Sequence, residues 1–270
     1  MNKKMKQLSD FWGEFDISGH KTFYWKIGDT HLWVKHEGKE IFIAHQVENG
    51  NMQGSAGKNP PSDISWIRWT FPKEVAAIKI RPVFPDRPVV VKPESSFNLA
   101  KKTGTQIYVR IPLWISVHTT KVEKETMILE TPSVILSNTW FGDFFEGDLC
   151  YWISSGARTQ IEPDMQKSYM AISPVQLLNQ SDDDLFVEKL ALRLTNSTVY
   201  SDGQQLWSDQ IRINYKGKDA ISEVKFSGKP PKQVASAALI SPPRNIEKKS
   251  LLIKTFASML DLNSLGLPVR

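Results

Sequence analysis

The segment from Thr139 to Trp152 carries the residue types and spacing best suited to chemistry. Acidic and aromatic side chains alternate within it, separated by two glycines: Trp140, Phe141, Asp143, Phe144, Phe145, Glu146, Asp148, Tyr151 and Trp152. Flat rings stack on the apolar faces of sugars, and carboxylates accept hydrogen bonds from hydroxyls. The candidate ligand-binding residues of this segment are Trp140, Asp143, Glu146, Asp148 and Trp152.

Three other interpretations of this segment remain open. The acids could hold a hard cation such as Ca²⁺ through oxygen ligands. Two of them could act as the carboxylate pair of a glycoside hydrolase. The simplest interpretation is structural, because aromatic residues usually fill a core and acids beside glycine usually cap a turn. We therefore assign no catalytic residue.

Motifs for metals, nucleotides and nucleophiles are missing from the sequence. The five histidines have no metal-binding spacing, and His31 and His36, five residues apart on one strand, should face opposite sides of a sheet. No G-x-S-x-G elbow, P-loop or G-x-G-x-x-G sequence occurs. Cys150 lies between Leu149 and Tyr151 and should be an inert core thiol. We expect no metal and no cofactor, and we favour a non-enzymatic protein without excluding catalysis.

Three arginines, Arg68, Arg81 and Arg110, stand on predicted strands among aromatic residues and prolines. Each could pair with a buried acid or stack on a tryptophan ring. We favour these structural roles over anion binding.

The net charge of +5 conceals two opposite blocks. Residues 139–188 hold two basic and nine acidic groups, and residues 189–270 hold 13 basic and six acidic groups. These blocks favour contact between the two segments, or with a partner, over nucleic-acid binding, which needs basic residues on one face. The small net charge and the 40% of apolar residues exclude a disordered chain.

The N-terminus and the single cysteine indicate the compartment. No apolar stretch follows the lysines of Met1–Asp10, so we see no signal peptide, and no stretch approaches 18 apolar residues. One cysteine cannot form an intramolecular disulfide and suits a reducing environment. We predict a cytoplasmic protein without a transmembrane segment, whose partner is an unknown protein or small molecule and not nucleic acid.

Alternation with a period of two dominates the chain. It is clear in Lys21–Ile27 and in Ala77–Val83, and His36–Glu40 separates two apolar runs as a hairpin turn would. We predict an all-β protein of two tandem antiparallel β-sandwich-like domains, residues 1–130 and 131–270, joined near Glu130–Ser133. Of the nine tryptophans, five lie within alternating strands and are predicted core anchors: Trp25, Trp33, Trp66, Trp69 and Trp114.

Two further segments carry specific expectations. Lys248 to Leu260 has apolar residues at helical spacing, which predicts a C-terminal helix. That helix would pack on its own domain, dock on a partner or lie on a membrane surface. Glu48 to Asp63 is rich in glycine and proline and predicts a long mobile loop of the kind that is often functional.

Four strings give the chain a family resemblance: Trp12-Gly13, Arg110-Ile111-Pro112-Leu113-Trp114, the segment Thr139 to Trp152, and Val187 to Arg193. They resemble an uncharacterised prokaryotic family, the domain-of-unknown-function family numbered four hundred and thirty-two. The resemblance implies a soluble prokaryotic protein whose ends are the ends of this chain. It implies no activity, cofactor or catalytic residue. The functional prediction is therefore a non-enzymatic binding or scaffolding module, and the alternative is a carbohydrate-active or carbohydrate-binding protein using residues 139–152.

Overall fold

The computed structural model describes residues 7–19, 21–48, 57–120, 123–142, 147–217, 222–246, 250–253 and 256–257. The structure is about 53% strand and 4% helix, and the helices among the described residues are three-residue 3-10 turns at Leu8–Asp10, Pro163–Met165 and Lys232–Val234. The prediction of an all-β protein is confirmed.

The strands are numbered β1 to β23 in chain order. Their bounds are Gly13–Asp16, Thr22–Ile27, Thr30–Glu37, Glu40–Val47, Ile67–Thr70, Ala77–Val83, Val89–Pro93, Phe97–Leu99, Gly104–Pro112, Trp114–Thr119, Met127–Pro132, Ser137–Phe141, Asp148–Arg158, Met170–Asn179, Leu185–Val187, Lys189–Leu192, Val199–Ser201, Leu206–Ser208, Ile211–Tyr215, Ser222–Phe226, Ala238–Ser241, Ser250–Ile253 and Phe256–Ala257.

An antiparallel sheet of four strands, in the order β2-β3-β4-β5, contains the predicted hairpin. Glu37 pairs with Glu40, so Gly38 and Lys39 form a two-residue turn, and Gly38 has a φ of +62°. That left-handed conformation favours glycine and matches the twist of the two flanking strands. The hairpin prediction is confirmed.

A second antiparallel sheet has the order β1-β6-β10-β11. The predicted junction Glu130–Ser133 coincides largely with β11, which runs over Met127–Pro132. Ser133 is fully buried, donates its backbone N–H to Leu113 and accepts one from Asp29. The chain therefore passes through the interior at this point.

The largest sheet contains 13 strands and mixes both orientations. β7 and β9 come from before residue 130, and they pair with β13 and β14, which come after it. The pairs β13–β7, β14–β18 and β14–β19 are parallel, which the antiparallel prediction did not include. The two domains, 1–130 and 131–270, stay a prediction, although one sheet draws strands from both ranges.

Alternation along the strands determines which residues form the core. On β9, Ile107, Val109 and Ile111 are at most 1% exposed, and each lies between more polar neighbours. The main apolar cluster joins such residues from all three of these sheets. Trp25 and Trp33 belong to the buried set, as predicted, and so do Trp12 and Trp207.

The predicted C-terminal helix is wrong for the residues that the structure describes. Ser250–Ile253 is strand β22, paired with β20, and Phe256–Ala257 is strand β23, paired with β16. A short apolar run fits either period, and here the backbone ladder offered by a neighbouring strand prevails over helical spacing. The remaining residues of Lys248–Leu260 lie outside the described residues.

The predicted loop is described only in part, because residues 49–56 lie outside the described residues. Residues 57–66 have no strand or helix, and the carbonyl of Lys58 accepts the indole N–H of Trp33 at 3.1 Å. In the part of the chain that is described, we find no helix with the length and apolar character needed to cross a bilayer.

Candidate functional site

The hairpin of β12 and β13 presents Trp140 to the solvent. Trp140 pairs directly with Leu149, and their exposed fractions are 53% and 46%. One step along, Asn138 pairs with Tyr151, so these four side chains share one face of the hairpin. An indole and an aliphatic side chain lie side by side in water at the open edge of the large sheet.

The exposed face continues onto the second sheet through Tyr151. The rings of Tyr151 and Trp114 have centroids 6.0 Å apart and are tilted by 50°. Trp114 begins β10, where it pairs with Val83 and Pro132. We call Trp140, Leu149, Tyr151 and Trp114 the aromatic row.

Polar and charged side chains flank the aromatic row. The Tyr151 hydroxyl donates to Asp86 Oδ1 at 3.0 Å, and the Arg87 guanidinium carbon lies 5.5 Å from the Tyr151 ring centroid. Partial burial raises the pKa of Tyr151, and the hydrogen bond to Asp86 raises it further. This phenol therefore stays protonated at neutral pH and acts as a hydrogen-bond donor.

Arg244 packs against Trp114, at the end of the aromatic row farthest from Trp140. Its guanidinium carbon lies 5.7 Å from the Trp114 ring centroid, its Nη1 is 2.8 Å from Glu130 Oε1, and its Nε donates to the Phe84 carbonyl at 2.6 Å. Two buried donors here, Arg244 Nη2 and Trp114 Nε1, have no acceptor among the described residues. Buried donors of this kind are stabilised when an oxygen atom is supplied to them.

Of the three predicted ligand-binding residues that the structure describes, only Trp140 lies on the aromatic row. Trp152 is on the opposite face of the hairpin, partly buried against a small cluster that includes Cys150. Asp148 also faces away from Trp140 and forms an ion pair with Arg193. Asp143 and Glu146 lie outside the described residues.

Trp114 was predicted as a core anchor but is only partly buried, and its strand contained the signal for this. Leu113 and Ile115, its two neighbours, are fully buried. Since side chains alternate along a strand, the residue between them must face the other side. The contact between Trp114 and Tyr151 joins two sheets and has no counterpart in local sequence.

Cys150 is buried, as predicted. Burial raises the pKa of its thiol to about 11, and the charge of Asp148 acts in the same direction. The thiolate is therefore rare at neutral pH, so this cysteine is a poor nucleophile.

A chain of hydrogen bonds on β10 has the residue order of a catalytic triad. Ser116 Oγ lies 2.8 Å from His118 Nε2, and His118 Nδ1 lies 2.9 Å from Glu125 Oε1. Ser116, however, is only 2% exposed, and its strand is paired on both sides. A substrate cannot reach its hydroxyl, and the backbone N–H groups of its strand are engaged in sheet hydrogen bonds. We therefore assign a structural role to the hydrogen bonds among Ser116, His118 and Glu125.

A second chain links Tyr24, His31 and Glu48. The Tyr24 hydroxyl lies 2.9 Å from His31 Nδ1, and His31 Nε2 lies 2.7 Å from Glu48 Oε1. His31 is 1% exposed, and burial raises the pKa of Tyr24. These polar groups satisfy one another.

Comparison with models of protein families assigns the chain to one family. A family model described as Protein of unknown function (DUF432) matches residues 11–261. The chain belongs to this family. The resemblance inferred from the four sequence strings is therefore confirmed. No curated protein and no solved structure matches the chain.

The span of the DUF432 match includes every described strand and the whole aromatic row. Within it, the three arginines singled out from the sequence all pair with acids. Arg81 pairs with Glu125, Arg110 with Asp164 and Arg68 with Glu40, although Arg68 is exposed and not buried. Among the described residues, no group of three or more histidine, cysteine or acidic side chains could hold a metal ion.

Proposed function

We propose that this DUF432 protein is a non-enzymatic binding protein and that the aromatic row holds its ligand. The observation that carries the proposal is the exposure of Trp140 beside Leu149, on a face that continues through Tyr151 to Trp114. Contiguous exposed apolar surface rimmed by polar groups is typical of interaction sites. Tryptophan and tyrosine are the residues that most often anchor them.

The chemistry around the row favours a carbohydrate. Its rings offer flat apolar surfaces, and Asn138, Asp86 and Arg87 lie close to them with planar hydrogen-bonding groups. A sugar presents an apolar ring face and a rim of hydroxyls, which matches this combination.

Catalysis by the acids of residues 139–152 has less support than binding. Glycoside hydrolysis needs two carboxyl groups facing one substrate, roughly 5 to 9.5 Å apart. Asp148 is paired with Arg193 and lies on the face opposite Trp140. A carbohydrate-active enzyme would therefore depend on Asp143 and Glu146.

A glycan array followed by calorimetric titration tests the proposal. We expect Trp140→Ala to weaken binding of the selected glycan by about tenfold or more, as truncation of an aromatic anchor does. Phe186→Ala is the matched control, because Phe186 is 48% exposed on β15, away from the row. Circular dichroism should show both variants folded.

Two results would contradict the proposal. The wild-type protein would retain no glycan on the array, or Trp140→Ala and Phe186→Ala would bind with the affinity of the wild type. Turnover of the bound glycan that is lost in Asp143→Ala/Glu146→Ala would show the enzyme instead.

We propose a cytoplasmic, prokaryotic setting for this binding protein, with a small molecule or another protein as its partner and no role for nucleic acid. The free buried thiol of Cys150 supports a reducing compartment. Cell fractionation of the tagged protein checks this, and recovery outside the cytoplasm would contradict it.

A further inference from the structure

Away from the aromatic row, six polar side chains line a cavity of about 200 Å³. It lies where β9, β14 and β19 run side by side, since Gln106 pairs with Gln176, which in turn pairs with Arg212. The lining residues are Gln106, Gln176, Gln210, Arg212, Lys232 and Gln233.

The lining of this cavity is cationic. It contains an arginine and a lysine and no acidic residue. Among the described residues, every other arginine forms an ion pair with a carboxylate, whereas neither Arg212 nor Lys232 does. Arg212 Nε instead donates to the neutral carboxamide of Gln176 at 3.0 Å. The positive charge at this cavity is therefore not neutralised by an ion pair with any carboxylate that the structure describes.

The glutamines hold the cavity in shape. Gln210 Nε2 donates to Gln106 Oε1 at 3.1 Å, and Gln233 Nε2 donates to the Tyr108 hydroxyl at 2.8 Å. Because Gln176 occupies only the Nε of Arg212, the planar fork is oriented while its terminal N–H groups stay available. Fixing donors in advance lowers the entropic cost of binding a ligand.

We propose that this cavity binds a phosphoryl group, either as inorganic phosphate or as a phosphate monoester. An arginine fork bridges two oxygens of such a group, a lysine adds a second charge, and carboxamide N–H groups can donate to the remaining oxygen. A dianion matches two cations better than a carboxylate does. Arg212, Lys232 and Gln233 are exposed, so the site is open to solvent.

Titration calorimetry at about 0.15 M salt, where bulk attraction is screened, tests the site. The probes are inorganic phosphate and glycerol 3-phosphate, with acetate as the carboxylate comparison. We expect Arg212→Gln to weaken phosphate binding by about tenfold, since hydrogen bonds to charged groups have this magnitude. Lys232→Gln should weaken it less.

Lys92→Gln is the matched control, because Lys92 is an exposed cation on β7 outside the cavity. It should leave binding unchanged, and circular dichroism should show that all three variants fold. Trp140→Ala should also bind phosphate normally, which separates this site from the aromatic row.

The relative affinity of the two probes identifies the source of the phosphoryl group. Tighter binding of glycerol 3-phosphate indicates a monoester, and tighter binding of inorganic phosphate indicates the free ion. No heat with either probe, equal affinity for acetate, or equal losses in Lys92→Gln and Arg212→Gln would overturn the proposal.

Discussion

His118 shows how the surroundings of one residue make a property of the whole molecule depend on pH. The pKa of its imidazole is lowered first by burial and then by the nearby charge of Arg81, while Glu125 opposes these effects. The ring is therefore held neutral between Ser116 and Glu125. In the unfolded chain its pKa returns to about 6.5.

The protein should lose stability as the pH falls below about 6.5. Between the two pKa values of His118 the unfolded state binds more protons than the folded state, so the free energy of unfolding rises with pH. The limit for one such group is about 1.4 kcal/mol per pH unit. Urea denaturation between pH 7.5 and 5.5 measures this slope.

His118→Gln should reduce the slope, because glutamine does not titrate. His45, whose pKa is also lowered by burial, should preserve the remaining part of it. An unchanged slope in His118→Gln would show that His118 does not contribute to the pH dependence.

For single residues, the sequence can predict which face of a strand a side chain occupies, because side chains alternate along the strand. The burial of Cys150 was predicted correctly because it follows from the residues beside it in its own strand. The pairing of Asp148 with Arg193 was beyond the sequence, because β13 meets the strand that precedes Arg193 only through β7. The exposure of Trp140 likewise depends on β12 being an edge strand.

At the scale of secondary structure, two turns with glycine at the same φ differ in the room that each leaves for a Cβ atom. Gly28 and Gly38 both have a φ of +62°. A Cβ at Gly38 would meet nothing within 4 Å, whereas one at Gly28 would overlap the carbonyl oxygen of Ser133. The turn at Gly28 is therefore pressed against the buried end of β11.

Gly28→Ala should destabilise the protein more than Gly38→Ala. Both variants carry the conformational cost of alanine in the left-handed region, about 1 kcal/mol. Gly28→Ala adds the displacement of backbone, which costs about 1–3 kcal/mol in packed structures. Chemical denaturation of both variants compares them, and equal losses of stability would contradict the close approach.

The elements differ in how far the sequence defines them. Ala77–Val83 was predicted with the bounds that the structure has, because apolar and polar residues alternate from Ile78 to Pro82. The segment of β22 was predicted as a helix because Leu252 belongs to a set of apolar residues at helical spacing. Its conformation is determined by pairing with β20, which local pattern does not reveal.

For the whole molecule, the opposite charge blocks meet as the sequence suggested. β14, from residues 139–188, lies beside β18 and β19, from residues 189–270. Asp148 and Arg193 form an ion pair between the same two blocks. The two segments are therefore in contact, whereas contact of either charge block with a partner stays a prediction. The order of strands within the sheet was not predictable.

Expression of residues 1–130 and 131–270 as separate fragments tests the predicted domains. Because β7 and β9 find their partners after residue 130, we expect each fragment alone to unfold with low cooperativity. Mixing them should restore protection of amide hydrogens on β9 and β14. Independent cooperative unfolding of each fragment at full stability would instead support two autonomous domains.

Strand pairing across residue 130 also affects how the protein folds during its synthesis. While the ribosome synthesises the second half, β7 and β9 have already emerged. Their backbone N–H and C=O groups stay unpaired until β13 and β14 follow. Exposed edges of this kind are prone to aggregation, and distant pairing slows folding. A nascent DUF432 chain should therefore depend on chaperones until about residue 179, where β14 ends, has left the exit tunnel.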